Sequence, residues 1–301
     1  MATKQRSRSR RAHASRDRGP RYVAPVLDPT WQNPYSPSTS ERLHNQRVLR
    51  RFVIRRQLPL TVAVYVVALG LIVAGIVVTP WMAGVGLLLG VGYVFLGRRE
   101  LARYAERGRQ LGAKMLETLD AGGDGTERLR LVTVLDRLAA TFGVDNASAY
   151  VVADQGYNAA LVPHGANYAL FVTSAVMQDF ELIELEGVVA HCLARQRLGL
   201  LERESLASVV TLNEDARRTL AGVGKTYRAD EVAAASIRYP LGLAGALRKC
   251  ARQHVAPDSF FSSANYAQWR WVFFDQWSER PTSDLSDLDD VELRARALEE
   301  W

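Results

Sequence analysis

Cysteine and histidine are scarce in this chain. Two cysteines occur among 301 residues, Cys192 and Cys250. They have no framework spacing, which excludes a disulfide-built scaffold and fits a reducing compartment. Five histidines occur: His13 and His44 near the N-terminus, then His164, His191 and His254. Charge is missing from two long stretches. Residues 58–78 are 21 positions without a charged side chain. At 1.5 Å per residue such a helix measures roughly 31 Å, enough to cross a hydrocarbon core. Thr79-Pro80 interrupts it, and residues 81–97 form a second uncharged run, roughly 25 Å long and near the lower limit. No small-residue cleavage site follows the first run, and the basic region before it is far longer than a signal peptide carries. A cleaved leader is thereby excluded.

The net charge of +6 hides an asymmetry. Residues 1–57 hold 14 Lys/Arg and 3 Asp/Glu, while residues 58–301 hold 24 and 29. The basic pI describes the tail; the rest is mildly acidic. Five prolines by residue 37 and few apolar side chains give residues 1–57 the composition of a disordered segment. Such a tail suits anionic lipid headgroups, at about 1 kcal/mol per cation near an acidic leaflet. Nucleic acid is a weak alternative, because no aromatic interleaving accompanies the charge. Arg50, Arg51, Arg55 and Arg56 precede the first run, and Arg98, Arg99, Arg103, Arg107 and Arg109 follow the second. The positive-inside rule then places both ends in the cytoplasm, with residues 58–97 as a transmembrane hairpin in the cell membrane. Trp81 and Tyr93 suit interfaces, and Gly84, Gly86, Gly90 and Gly92 line one side of the second run.

Residues 98–301 read as a cytoplasmic domain, mainly α with a small β-sheet. A helix leaves the membrane over 98–119. Val132, Leu135, Leu138 and Phe142 then mark another helix, stopped at Gly143. Residues 147–153 and 168–173 are β-like runs. A short helix follows over 174–180. A core helix spans 181–198, with Leu182, Leu185, Val189 and Leu193 along one stripe. Further helices are expected over 202–220 and 240–255, Pro240 being suited to a first turn, and the C-terminus is acidic, then helical, from residue 283.

The core helix carries the informative pattern. Glu184-Leu185-Glu186-Gly187-Val188-Val189-Ala190-His191 is followed by Cys192 and, one turn after His191, by Arg195. Asn158-Ala159 and Leu170-Phe171-Val172-Thr173 come before it, and Ala229-Asp230, Tyr239-Pro240 and Leu243 to Lys249 after it. In order, spacing and residue type, segment 128–254 resembles the HtpX-type membrane metallopeptidases. In that family the helix reads E-L-E-x-V-x-A-H-E-x-x-H, where two histidines one turn apart bind zinc and the glutamate activates its water. The resemblance implies a metallopeptidase-like α+β fold whose active-site positions are His191, Cys192, Arg195, Thr226 and Asp230. Asn158, Gly165 and Thr173 match the strand region beside the substrate cleft. The departures fall on the chemistry. A thiol stands for the base, an arginine for the second ligand, and Thr226 for the glutamate of E-x-x-A-D. The link between the two motifs is short, and no His-Pro element occurs near the C-terminus.

A catalytic zinc site needs three protein ligands, and the matched positions supply one. A guanidinium has no lone pair to give. His191 and Cys192 point about 100° apart on a helix, so they cannot easily share one metal or act as a nucleophile–base pair. Asp230 is expected to face Arg195 as a charge-assisted pair. The reading is a membrane-anchored, metallopeptidase-like pseudoenzyme without cofactor that binds an unknown membrane or cytoplasmic protein. Two alternatives stay open: an active peptidase with a rearranged zinc site, and a structural adaptor acting through the basic tail. The hairpin has a direct check. Reporters fused at Met1 and at Trp301 are both expected to signal cytoplasm, and an external signal from either end removes the hairpin.

Overall fold

The structure, a computed structural model, describes residues 39–122, 125–210, 212–222, 224–253, 255–276 and 290–301. The tail up to residue 38 with His13, as well as His254 and the acidic residues 283–289, lie outside the described residues. Helix α1 spans Thr39–Val77, so residues 39–57 are helical and not part of a disordered tail. The arginines of this stretch mask an apolar set. Val53 is buried and Leu49 and Phe52 pack beside it, against Tyr104, Leu206, Leu220 and Trp271. Helix α2 spans Pro80–Arg109 with Pro80 in its first turn, where the missing N–H goes unnoticed.

The two helices run antiparallel in contact. Gly86 lies against the Ala68 carbonyl, and a Cβ there would stand 2.5 Å from that oxygen, so only glycine permits the approach. Tyr93 closes the contact lower down, its hydroxyl 3.0 Å from Thr61 Oγ1 and its ring edge-on to Tyr65. Gly84 and Gly92, expected on the same side, have open space around them instead. The helix Thr39–Val77 is long and apolar enough to cross a membrane, and Pro80–Leu96 is a shorter apolar helix.

Beyond α2 come α3 (Leu111–Thr118), α4 (Gly125–Phe142), strands β1 (Ala147–Val152), β2 (Ala159–His164) and β3 (Asn167–Thr173), then α5 (Ser174–Asp179) and α6 (Leu182–Arg197). The remainder is α7 (Leu201–Val209), α8 (Glu214–Ala221), α9 (Lys225–Ile237), α10 (Pro240–Arg252), α11 (Ala264–Trp269) and α12 (Val291–Glu299), with 3-10 turns at Phe260–Ser262 and Arg270–Val272. The architecture is mainly helical with one three-stranded sheet. The single helix expected over 202–220 is two, α7 and α8, with Asn213 capping the second through the Ala216 N–H.

The sheet runs in the order β1-β3-β2, with β1 parallel and β2 antiparallel to β3. Composition alone predicts β1 and β3. It misses β2, because Pro163 interrupts the pattern; β2 is an edge strand, where a proline is tolerated. Side chains alternate between two cores. Ala149, Val151, Ala159, Leu161, Leu170 and Val172 face α4, α6, α9 and α10, while Val152, Ala160, Val162, Ala169 and Phe171 face α3, α11 and Phe273. Helix α6 lies in the larger core. Glu181 and Glu184 form a capping box at its start, and nearly every residue from Glu184 to Arg195 is buried. Leu182, expected on the core stripe, is exposed.

The base of α1 is fixed to this domain by a polar core of its own. Asn45 is buried; its amide donates to the Leu198 carbonyl at 2.7 Å and its oxygen accepts from Arg203 at 2.8 Å. Arg203 also donates to the Leu220 and Thr219 carbonyls. Glu41 pairs with Arg228 of α9. Residue Gly108 of α2 packs on Ser205 and Leu206.

Candidate functional site

His191, Cys192 and Arg195 sit on the last turns of α6, all fully buried. Asp230 lies on α9, which packs along α6, and reaches His191: Nδ1 is 2.6 Å from Asp230 Oδ1. The carboxylate accepts, so Nδ1 carries the proton and Nε2 carries the lone pair. That Nε2 is buried and has no hydrogen-bond partner among the described residues. Burial drives the His191 pKa down to about 4; Asp230 opposes this, and the charges of Arg294 and Arg195 reinforce it. The ring is neutral near neutral pH. Burial alone would raise Asp230, but Arg294 and then His191 hold it down at about 2, so it stays ionised.

The expected Arg195–Asp230 pair does not form. Asp230 belongs to Arg294 of α12, which donates Nε to Oδ2 at 2.7 Å and Nη2 to Oδ1 at 2.9 Å, a bidentate fork. Arg294 also donates Nη1 to the Phe274 carbonyl at 2.9 Å and lies over the Phe274 ring. That ring stands edge-on to His191, with centroids 5.1 Å apart. Arg195 turns to Glu204 of α7, because Gly199 (φ +71°) ends α6 in a left-handed turn that folds α7 back against it. Nε reaches Glu204 Oε2 at 3.0 Å and Nη2 reaches it at 2.7 Å. The remaining N–H groups go to Trp271 O at 2.7 Å, Val272 O at 2.9 Å and Phe273 O at 3.2 Å. All five guanidinium donors are answered.

Residues 271–275 form a strap along the free edge of β2. Phe273 bridges to Ala160, and the Phe274 N–H donates to the Ala159 carbonyl at 2.7 Å. Asn158 fixes the end of the strap, donating to Asp275 O at 2.9 Å and accepting from Asp275 N at 3.0 Å. Thr173 is spent on Asn158 backbone groups. Asn158 and Thr173, matched above to a substrate cleft, border only a cavity of about 10 Å³, room for roughly one water. Gly165 is not with them. It stands at the other end of β2, in the two-residue turn to β3, with φ +62° and its N–H on the Arg109 carbonyl. Thr226 is buried one turn before Asp230 on the same face of α9.

The lone pair of His191 Nε2 stands one helical turn from the Arg195 guanidinium, and the charges of Arg294 and Arg195 act, after burial, against a proton on the ring. Burial pushes the Cys192 thiol up to about 12, far from the thiolate a nucleophile needs. Sequence reasoning missed Glu204, Arg294 and the strap. Glu204 follows a glycine turn directly after Arg195, which is a usable signal; Arg294 in an amphipathic C-terminal helix gives none. No protein-family model matches the chain, and no curated protein matches it.

Two measurements follow from the buried charges. Arg195→Ala leaves Glu204 and three carbonyls without their donor, and the expected loss is about 3–5 kcal/mol by denaturant unfolding. Arg195→Met with Glu204→Leu should lose less than Arg195→Ala alone. A single-variant loss under about 1 kcal/mol would show that Arg195 does not hold Glu204 and the strap together.

Acid stability has a defined sign. His191 binds its proton near pH 6.5 when unfolded and only near pH 4 when folded, so the unfolded state takes up more protons between these values. Stability is full above about pH 6.5 and falls, by an amount on the order of 3 kcal/mol, as pH drops through the window to 4. Asp230 adds a further loss between 3.8 and about 2. His191→Gln should flatten the upper part of the pH–stability curve; an unchanged slope there contradicts the assignment.

Proposed function

We propose that the chain is a membrane-anchored protein with a metallopeptidase-like cytoplasmic domain that binds or regulates and does not hydrolyse. Helices α1 and α2 would cross the bilayer as a hairpin, with both chain ends in the cytoplasm. One observation carries the reading. Arg195 stands where the resemblance calls for the second zinc-binding histidine, and every one of its N–H groups is committed to Glu204 and to the strap. A group so fixed is a permanent part of the core, not a side chain waiting to move aside for a metal.

Other features agree with this reading. The His191–Asp230 pair is the arrangement that orients a metal-bound histidine in zinc enzymes. Here the pair is kept, the base and second ligand are gone, and the aromatic ring of Phe274 and the Arg294 guanidinium close the space beside them. The sheet edge next to the helix is taken by residues 271–275. A rearranged zinc site would need three donors, and among the described residues no group of three His, Cys, Asp or Glu is placed to hold a metal. The partner would be a membrane or cytoplasmic protein recognised through the outer surface, with the lipid bilayer as a constant second partner.

Metal analysis of purified full-length protein tests the reading. Zinc is expected well below one per chain, with no cleavage of casein or peptide substrates and no change of melting temperature on adding a chelator. About one zinc per chain, or chelator-sensitive melting, would falsify it.

A further inference from the structure

Ten arginines bracket the uncharged stretches at the level where they end: Arg47, Arg50, Arg51, Arg55 and Arg56 on α1, and Arg98, Arg99, Arg103, Arg107 and Arg109 on α2. All ten are exposed. Residues 46–57 contain no acid, and residues 98–109 contain two, Glu100 and Glu106. The helix contacts set the register. Thr61 meets Tyr93, and Val53 shares a cluster with Tyr104. Arg55 and Arg56 therefore stand level with Arg98 and Arg99, and Arg51 level with Arg103. Arg47, Arg51 and Arg55 recur every four residues, as do Arg99, Arg103 and Arg107, so each trio shares one helix face with steps of roughly 6 Å.

These cations are held in place. The inward sides of the same turns, Leu49, Phe52, Val53 and Tyr104, are packed with Leu206 and Trp271, and Asn45 anchors the turn below them. The arginines are thus a fixed band around two packed helices. We propose that this band binds the phosphodiester headgroups of anionic lipids in the leaflet that the helices enter, an inference that rests on the membrane reading above. A guanidinium fork matches two phosphate oxygens, and a rigid array needs little ordering to meet a charged surface. Arg55, Arg56, Arg98 and Arg99 lie within about 8 Å of the end of the apolar runs, one screening length at physiological salt, whereas Arg47, Arg51, Arg103 and Arg107 stand farther out. The inner arginines therefore dominate, and the N-terminal tail is dispensable for headgroup selection.

Lipid retention measured by native mass spectrometry on full-length protein tests this. The protein is purified in detergent with equal amounts of phosphatidylcholine and phosphatidylglycerol. Wild type is expected to retain the anionic lipid about tenfold over the zwitterionic one. Arg55→Gln, Arg56→Gln, Arg98→Gln and Arg99→Gln together should reduce that preference to about twofold or less. Arg6→Gln, Arg8→Gln, Arg10→Gln and Arg11→Gln remove the same charge from the tail and should leave it within about twofold of wild type. Millimolar inorganic phosphate should not displace the lipid, since the surface is built for headgroups at a bilayer. Displacement by free phosphate, equal retention of the two lipids by wild type, or loss of preference in the tail variant each overturns the proposal. The wild-type and tail-variant arms decide even where the band variant does not fold. Wild type that stays soluble without detergent and retains neither lipid overturns the membrane reading itself, an outcome distinct from equal retention by an inserted protein.

Discussion

A guanidinium taken into a protein core must have its donors answered, because each unanswered N–H and the net charge itself are expensive away from water. Arg195 and Arg294 both meet this demand in the same way. Each takes one carboxylate, Glu204 or Asp230, and donates as well to carbonyls of the strap, residues 271–273 for Arg195 and residue 274 for Arg294. The strap lies on the edge of β2 with these carbonyls answered by the two guanidiniums. Edge strand, strap, α7 and α12 are thereby held by two side chains.

Helix α7 extends this dependence toward the two long helices α1 and α2. Glu204 faces Arg195, the next residues Ser205 and Leu206 lie against Gly108 of α2, and the preceding Arg203 holds Asn45 of α1. Three successive positions on one short helix touch the core helix and both long helices. The long helices and the Arg195 end of α6 are therefore tied to the same nine-residue element.

The parts of this arrangement differ in how far they can be read from sequence. The core helix was legible, since its apolar density and its Glu181/Glu184 start are local signals. The pairing of α9 with α6 was legible only through the family resemblance, which expects Asp230 beside the active-site helix; the residue it meets is His191. The Arg195–Asp230 pair does not form because the turn at Gly199 returns Glu204 of α7 to Arg195, while Asp230 of α9 is taken by Arg294. The lower part of α1 was hidden by its arginines, because composition averages over a helix whose two faces differ. The strap has no period of its own. Its conformation is set by a sheet edge and two guanidiniums, all distant in sequence, and nothing within residues 271–275 announces them.

Charge balance describes the buried group around the His191–Asp230 pair. Two guanidiniums face two carboxylates, and the imidazole between them is neutral, so the buried group as a whole carries no net charge. Arg195 supplies one fixed positive charge and Arg294 the second, set against the carboxylates of Glu204 and Asp230. The cost remains visible at one atom, the His191 Nε2 lone pair, which points into an apolar environment without a partner among the described residues and which the remaining interactions of α6 and α9 must outweigh.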